Sequence, residues 1–195
     1  MPRSIIDIAG FEAKFQENPD PWNYASSRFE AFKRHILLQA CGTRQYGRGL
    51  ELACANGETS LLLARKCLSL LALDGSTSAV AEARRRTTAI NNVMVAEAAL
   101  PQGMPRGPFD LIVISELLYY LKPRDLEDLL RRSIAALAPG ARIVVLHHTI
   151  FFDDVAIPPA AAQQRAIDVL SRSLVPVFRR SLAHFDVAAF SKSYR

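Results

Sequence analysis

The sequence predicts an α/β domain built on a doubly wound, mostly parallel sheet, and three stretches carry that prediction. Arg48–Glu58, read R-G-L-E-L-A-C-A-N-G-E, runs from a short apolar strand, Gly49–Ala53, through a turn of small residues into a helix over Thr59–Lys66. Strand, tight turn and helix in that order open a nucleotide-binding α/β unit. Phe109–Ile114 is a continuous apolar run, as in a central parallel strand buried on both faces. Near the end, strands over Leu174–Arg180 and Phe185–Ser191 are separated only by a short turn around Ser181–His184. So short a link permits antiparallel pairing and forbids a crossover, which puts one antiparallel strand near a sheet edge.

The remaining elements follow in order. Residues 1–20 are of mixed character and close in a turn, Glu17-Asn18-Pro19-Asp20-Pro21. From about Ser27 to Ala40, Phe29, Phe32, Ile36 and Leu37 recur at helical spacing, and Cys41-Gly42 ends the run. This segment precedes the first strand. It either lies across the ligand crevice as a lid, with Trp22, Tyr24 and Arg28 at the ligand, or packs its aromatic residues onto the sheet. Leu68–Leu73 is a second strand ending in Asp74-Gly75, Thr77–Ala89 a helix, and Val93–Ala96 a third strand. Pro101–Pro108 is a loop. Asp125–Ala138 is a helix closed by Pro139-Gly140, Arg142–Leu146 a strand reaching His147-His148, and Gln163–Ser173 a helix. The organisation is one domain, with residues 1–45 as a helical lid segment and 46–195 as the core.

Bulk composition narrows the function classes. With 195 residues, half of them apolar and 22% charged, the chain is long enough for a sizeable core and is not disordered. The net charge is +5, from 24 basic and 19 acidic residues, but the basic residues are scattered. The tightest cluster, Arg84-Arg85-Arg86, falls on an exposed helix end, so no nucleic-acid partner is expected. Cys41, Cys54 and Cys67 lack metal-like spacing, so neither a metal nor a disulfide framework is expected. No apolar run reaches membrane-spanning length, and Met1–Gly10 lacks the pattern of a signal sequence. These features fit a cytoplasmic protein, a monomer or weak homodimer, with a small-molecule partner.

The chemistry of the first turn points to the ligand. Two glycines of a dinucleotide site are replaced by Ala53 and Ala55, and Glu58 stands at the first turn of the helix, where it would repel a phosphate. With Glu51 inside the preceding strand, two carboxylates flank the turn. That favours a cationic nucleoside, such as adenosylmethionine, over an anionic one; the alternative is a turn that binds nothing. Asp74, 17 residues beyond Gly57, can accept both ribose hydroxyls or can serve as a helix cap. Ser115 and Glu116 end the central strand at the switch point of the sheet, where ligands bind. Glu116, His147 and His148 are the candidate proton acceptors, although Glu116 can equally cap the next helix and one of two adjacent histidines can simply be exposed. Tyr119 and Tyr120 can stack on an acceptor or belong to the core.

Together, L-E-L-A-C-A-N-G, the terminal Asp74, F-D-L-I-V-I-S-E-L-L-Y-Y-L, L-A-P-G-A-R-I-V-V-L-H-H and the closing strand pair resemble the class I adenosylmethionine-dependent methyltransferases. More narrowly, D-P-W-N-Y-A-S-S-R-F-E at Asp20–Glu30 and S-E-L-L-Y-Y-L at Ser115–Leu121 resemble the nodulation protein S family. The resemblance runs from about Asp20 to Lys192. It implies a Rossmann-like seven-stranded sheet in the order 3-2-1-4-5-7-6 with strand 7 antiparallel. It also implies methyl transfer from adenosylmethionine, leaving adenosylhomocysteine, to the free amine of a de-N-acetylated glucosamine on a chitin-type oligosaccharide. By motif, the cofactor loop falls on Ala53, Cys54, Ala55 and Gly57, ribose contact on Asp74, and adenine contact on Ala99 and Leu100. This chain departs from the class at Ala53 and Ala55, where glycine is usual, and at Ala99, where an aspartate usually binds the adenine amine. Methylation of another small metabolite, at nitrogen or oxygen, and a non-catalytic homologue are the alternatives.

Overall fold

The structure, a computed structural model, describes residues 5–194. Its strands are β1 (Tyr46–Leu52), β2 (Cys67–Asp74), β3 (Val93–Glu97), β4 (Phe109–Ser115), β5 (Leu137–His148), β6 (Val175–Ser181) and β7 (Phe185–Ser191). Its helices are α1 (Ile8–Glu17), α2 (Arg28–Ala40), α3 (Glu58–Leu63), α4 (Thr77–Thr87), α5 (Pro123–Ala136) and α6 (Pro159–Ser171). The strands form one sheet in the order β3-β2-β1-β4-β5-β7-β6, with β7 antiparallel to both neighbours, as the resemblance implied.

The alternation of β4 explains the layers. Ile112 and Ile114 face Leu126, Leu129 and Leu130 of α5 and Ala162, Ala166 and Leu170 of α6. Leu111 and Val113 face Ile36, Leu37 and Ala40 of α2 and Leu63 of α3. Each buried Leu, Ile or Val among them contributes about 1.5–3 kcal/mol. A one-residue slip of β4 would exchange both layers, so its register is fixed. A third cluster, Cys54, Ala72, Val80, Ala83 and Val95, seats α4 beside the first turn.

Several elements differ from the sequence expectation. Ile8–Glu17 is a helix, with the Asp7 carboxylate accepting the Gly10 N–H as its N-cap. The α5 helix stops at Ala136, and Leu137 is already strand, paired with Phe109. Ala138 precedes Pro139, which pushes it out of the helical region, so Pro139-Gly140 lies within the opening of β5 instead of closing the helix. The α6 helix starts four residues early because Pro159 fits the first helical position. Finally, the later half of α2, within the segment 1–45 expected as a lid, is core: Ile36, Leu37 and Ala40 are buried.

Candidate active site

At the carboxyl ends of β1, β2 and β4 a cavity of about 660 Å³ opens, within the size range of small-molecule sites. Its floor at one end is the first turn. Ala53 and Ala55 have φ of 59° and 50°, in the left-handed region that costs an L-residue about 1–2 kcal/mol. Asp74 holds this turn: its Oδ2 accepts the Ala55 N–H at 2.8 Å and its Oδ1 the Ser76 N–H at 3.0 Å. Burial nevertheless raises the Asp74 carboxyl above its usual range. Glu51 and Cys54 also line this end. The Glu51 carboxyl accepts the Ser60 hydroxyl at 2.5 Å and is pushed up to about 8, first by burial. Among the described residues neither Glu51 nor Asp74 is ion-paired, so this end presents a buried and a half-buried carboxyl with no cation on either.

Two cofactor expectations are displaced. Gly57, with φ of 82°, backs onto α4: a Cβ there would lie 3.1 Å from the Ala83 Cα. Its freedom serves helix packing, not ligand approach. Ala99 is exposed and does not line the cavity; Ala98 and Leu100 do, because the Ala98 N–H is fixed to the Asp74 carbonyl at 2.8 Å. Gly75 and Ser115 lie on the wall as expected. Glu58 is on the wall too, but its charge is taken by an ion pair with Arg86, which also binds Glu82. Arg85 pairs with Glu82 and Arg84 donates to the Val95 carbonyl, so the arginine cluster is occupied with the fold.

The N-terminal segment forms the other wall. Trp22 packs against Phe15 and Tyr24, with ring centroids at 5.6 and 5.7 Å, and Phe11 meets Tyr120 edge-on at 4.8 Å. Polar contacts tie the segment to the core, and the Ile6 N–H donates to the Asp154 carbonyl at 3.0 Å. Asp20 accepts the Asn56 amide at 3.0 Å from the first turn. Glu12 accepts the hydroxyls of Ser76 and Ser78 at 2.7 and 2.6 Å and the Ser78 N–H at 3.0 Å, capping α4 from outside it. The Ser78 N–H and both hydroxyls lower the Glu12 carboxyl to about 2. Arg28 is exposed and not on the wall; the cavity arginine is Arg34, one turn and a half further along α2, which donates to the Tyr24 carbonyl at 2.8 Å.

The far end is an ionic cluster centred on Glu116, which has a φ of 54° and meets α2 through Lys33. Glu116 forms a 2.7 Å ion pair with Lys33, which in turn binds Glu30 at 2.8 Å. Its other oxygen accepts the Tyr119 hydroxyl at 2.6 Å and the His148 N–H at 3.0 Å. Burial opposes the charge on Glu116, but Lys33, His148 and His147 outweigh it and hold the carboxyl well below the usual range. Lys33 likewise resists its own burial through Glu116 and Glu30 and stays raised. Thus Glu116 holds an arrangement in place and is a poor proton acceptor. The two histidines part company. His147 is fully buried; its Nε2 accepts the Leu118 N–H at 3.1 Å and its Nδ1 meets Gln163 at 2.6 Å, and burial lowers its basicity. It pins the turn Leu118–Tyr120 to α6 and does not reach the cavity. His148 lines the cavity with its side chain 27% exposed and its Nδ1 3.6 Å from Glu116. Tyr119 is buried on Glu116, whereas Tyr24 and Tyr120 keep ring surface in the cavity.

The residues that sequence reasoning missed are Glu12, Glu30, Lys33, Arg34 and Asn56. For α1 a signal existed: Asp7 as cap, then Ile8, Phe11 and Phe15 at helical spacing. Glu30 and Lys33 stand three residues apart on a helix, a spacing shared by ordinary surface pairs, so the local pattern does not mark them.

The chain matches the nodulation protein S family over residues 12–147. It is 31% identical over 109 residues to nodulation protein S of Azorhizobium caulinodans, a match covering 54% of this chain and 51% of that one. The chain spans about half to three-fifths of the length of the curated nodulation proteins it matches. The crystal structure of N-methyltransferase NodS from Bradyrhizobium japonicum WM9 in complex with S-adenosyl-L-homocysteine is similar with a TM-score of 0.82, covering 95% of this chain and 97% of that one. At 24% identity that likeness is one of fold. A candidate methyltransferase from Pseudomonas syringae is 33% identical with a TM-score of 0.72, covering 85% of this chain and 100% of the other.

Proposed function

Because the chain belongs to the nodulation protein S family, we propose that it is an adenosylmethionine-dependent methyltransferase acting on an amine of a small polar acceptor. The finer reading is an amino sugar, the free glucosamine amine of a de-N-acetylated chitin-type oligosaccharide. The observation that carries the proposal is the division of one cavity into two ends. One has a buried and a half-buried carboxyl, Glu51 and Asp74, with no ion pair among the described residues; the other has a fixed ionic cluster beside a histidine. The Bradyrhizobium N-methyltransferase of similar fold, in complex with adenosylhomocysteine, supports the cofactor.

Adenosylmethionine would supply an electrophilic methyl group on a sulfonium sulfur. Asp74 and the backbone of Ala53–Ala55 would hold its ribose side, Ala98 and Leu100 its adenine, and Glu51 its positive end. Trp22, Tyr24, Phe11 and Phe15 cover the cavity and keep water out, which strengthens every charge interaction inside. At the acceptor end Tyr120 can cover the apolar face of a sugar ring. The attacking amine must be neutral. His148 takes its proton: with Nδ1 turned to Glu116, Nε2 is the nitrogen left for the transfer. Glu116, kept ionised by Lys33, fixes the orientation of that imidazole and stabilises the charge it gains.

Turnover of adenosylmethionine against a panel of amino sugars, simple amines and phenols tests the acceptor, and calorimetry tests the cofactor. Asp74→Ala should weaken adenosylmethionine binding at least tenfold, about 1.4 kcal/mol. Equal affinity in wild type and variant refutes the ribose assignment. Turnover on phenols alone, or on nucleic acid, refutes the amine reading.

A further inference from the structure

Glu51 lies one residue before the end of β1, 2% exposed, on the cavity wall. While β4 sets the apolar Val113 beside it, the titratable and polar groups that act on it are Ser60 from α3, Asp74 and Cys67 from β2, Cys54 from the first turn and Cys41 at the end of α2. All are acids, thiols or a hydroxyl. Of the cations on the cavity wall, Lys33 is held by Glu30 and Glu116, Arg34 donates to the Tyr24 carbonyl, and Lys122 stands exposed at the N-cap of α5. Glu58 brings no free charge either, because Arg86 holds it. A buried carboxyl with one hydrogen bond, a second carboxyl beside it and no cation keeps its proton until a positive charge enters the cavity.

Resting on the cofactor reading above, we propose that Glu51 discriminates the cationic, methyl-bearing form of the cofactor from its neutral-sulfur product, by releasing its proton to solvent when the first binds and retaining it with the second. Methyl transfer turns the sulfonium into a thioether and so removes one positive charge from this end. The interaction that favours the incoming cofactor is thereby lost in the product. The proton lost on binding goes to buffer and returns from buffer when the charge has gone.

The ionised carboxyl is the binding form, so affinity for adenosylmethionine rises with pH while the ligand-free carboxyl is protonated and levels off above that range. With burial foremost holding the free carboxyl at about 8, the gain between pH 6 and pH 8 is about fiftyfold. Calorimetry at pH 7 in phosphate and in Tris, which differ in ionisation enthalpy, counts the protons. Comparison with Glu51→Gln subtracts those of the ligand itself. The expected result is close to one more proton released by wild type than by the variant with adenosylmethionine, and less than half of that with adenosylhomocysteine. Equal proton counts in wild type and variant, or equal counts for the two ligands, overturn the proposal. If Glu51→Gln does not fold, infrared spectroscopy of the wild type at pH 7 decides: a protonated carboxylic-acid band should be present without ligand and lost on adding adenosylmethionine. A missing band, or one that persists with bound ligand, overturns it. No binding heat with either ligand overturns the cofactor reading, and this proposal with it.

Discussion

Replacing Lys33 by methionine tests the ionic cluster that organises the acceptor end. Methionine keeps the length of the side chain and removes its charge. Lys33 is 5% exposed, and its ammonium lies 2.7 Å from Glu116 and 2.8 Å from Glu30, whose side chains are only 13% and 12% exposed. Removing one partner of a buried pair leaves the other charge without compensation and costs about 3–5 kcal/mol. For a domain of this size that lowers Tm by about 6–20 °C. The pH dependence should change as well. The Glu116 carboxyl is held below its usual range in the folded state, so its stabilising contribution is complete above the ordinary carboxylate pKa and is lost as pH falls through the folded value. Without Lys33 that depression is largely removed, and the acid limb of the stability curve moves to higher pH. Urea unfolding followed by circular dichroism, at several pH values, measures both effects. Lys33→Met combined with Glu116→Gln should recover part of the loss, because the stranded charge is then gone. A loss under about 1 kcal/mol, the range of an exposed pair, would refute the claim that the cluster is buried and organising.

Two further substitutions test the packing around the cavity. Gly57→Ala puts a methyl group 3.1 Å from the Ala83 Cα at a φ of 82°; the left-handed strain alone costs about 1–2 kcal/mol, so Tm should fall by about 2–8 °C, and an unchanged melting curve would refute the packing role. Glu12→Gln should speed amide hydrogen exchange across residues 8–17 several-fold at neutral pH, because α1 loses its charged hold on α4. In the wild type that hold, with the carboxyl lowered to about 2, is complete above the ordinary carboxylate pKa and weakens as pH falls towards 2. Unchanged exchange would mean that the aromatic contacts and the links to Asp154 hold α1 without Glu12.

Much of the scaffold is written in local patterns. The apolar run Phe109–Ile114 has only one stable use, as a strand with helices on both faces, and the structure seats α2 and α3 against one face and α5 and α6 against the other. The link between β6 and β7 is too short for anything but a hairpin, and that fixes the antiparallel strand. The terminal position of Asp74 on β2 and of Ser115 on β4 follows from strand length and register, which is why the cavity wall was legible. The substituted glycines were legible as departures, and their meaning is structural: Ala53 and Ala55 adopt the left-handed turn anyway, held by the Asp74 carboxylate.

What the sequence by itself determined is therefore what depends on near neighbours: the strands and helices, the small-residue turn, and the two carboxyls flanking it. What only the tertiary structure decided is which charges meet. Lys33 and Glu116 are 83 residues apart by subtraction of their positions, yet they share an ion pair. Nothing in either local pattern marks the lysine as buried. Adjacent His147 and His148 look alike in the sequence, but strand alternation points one into the core and the other into the cavity. Glu51 and Glu116 both lie largely out of water; burial pushes the first carboxyl up, whereas Lys33 with His148 and His147 holds the second below its usual range. Burial and long-range pairing set the protonation of these groups, and both arise only when the chain has folded.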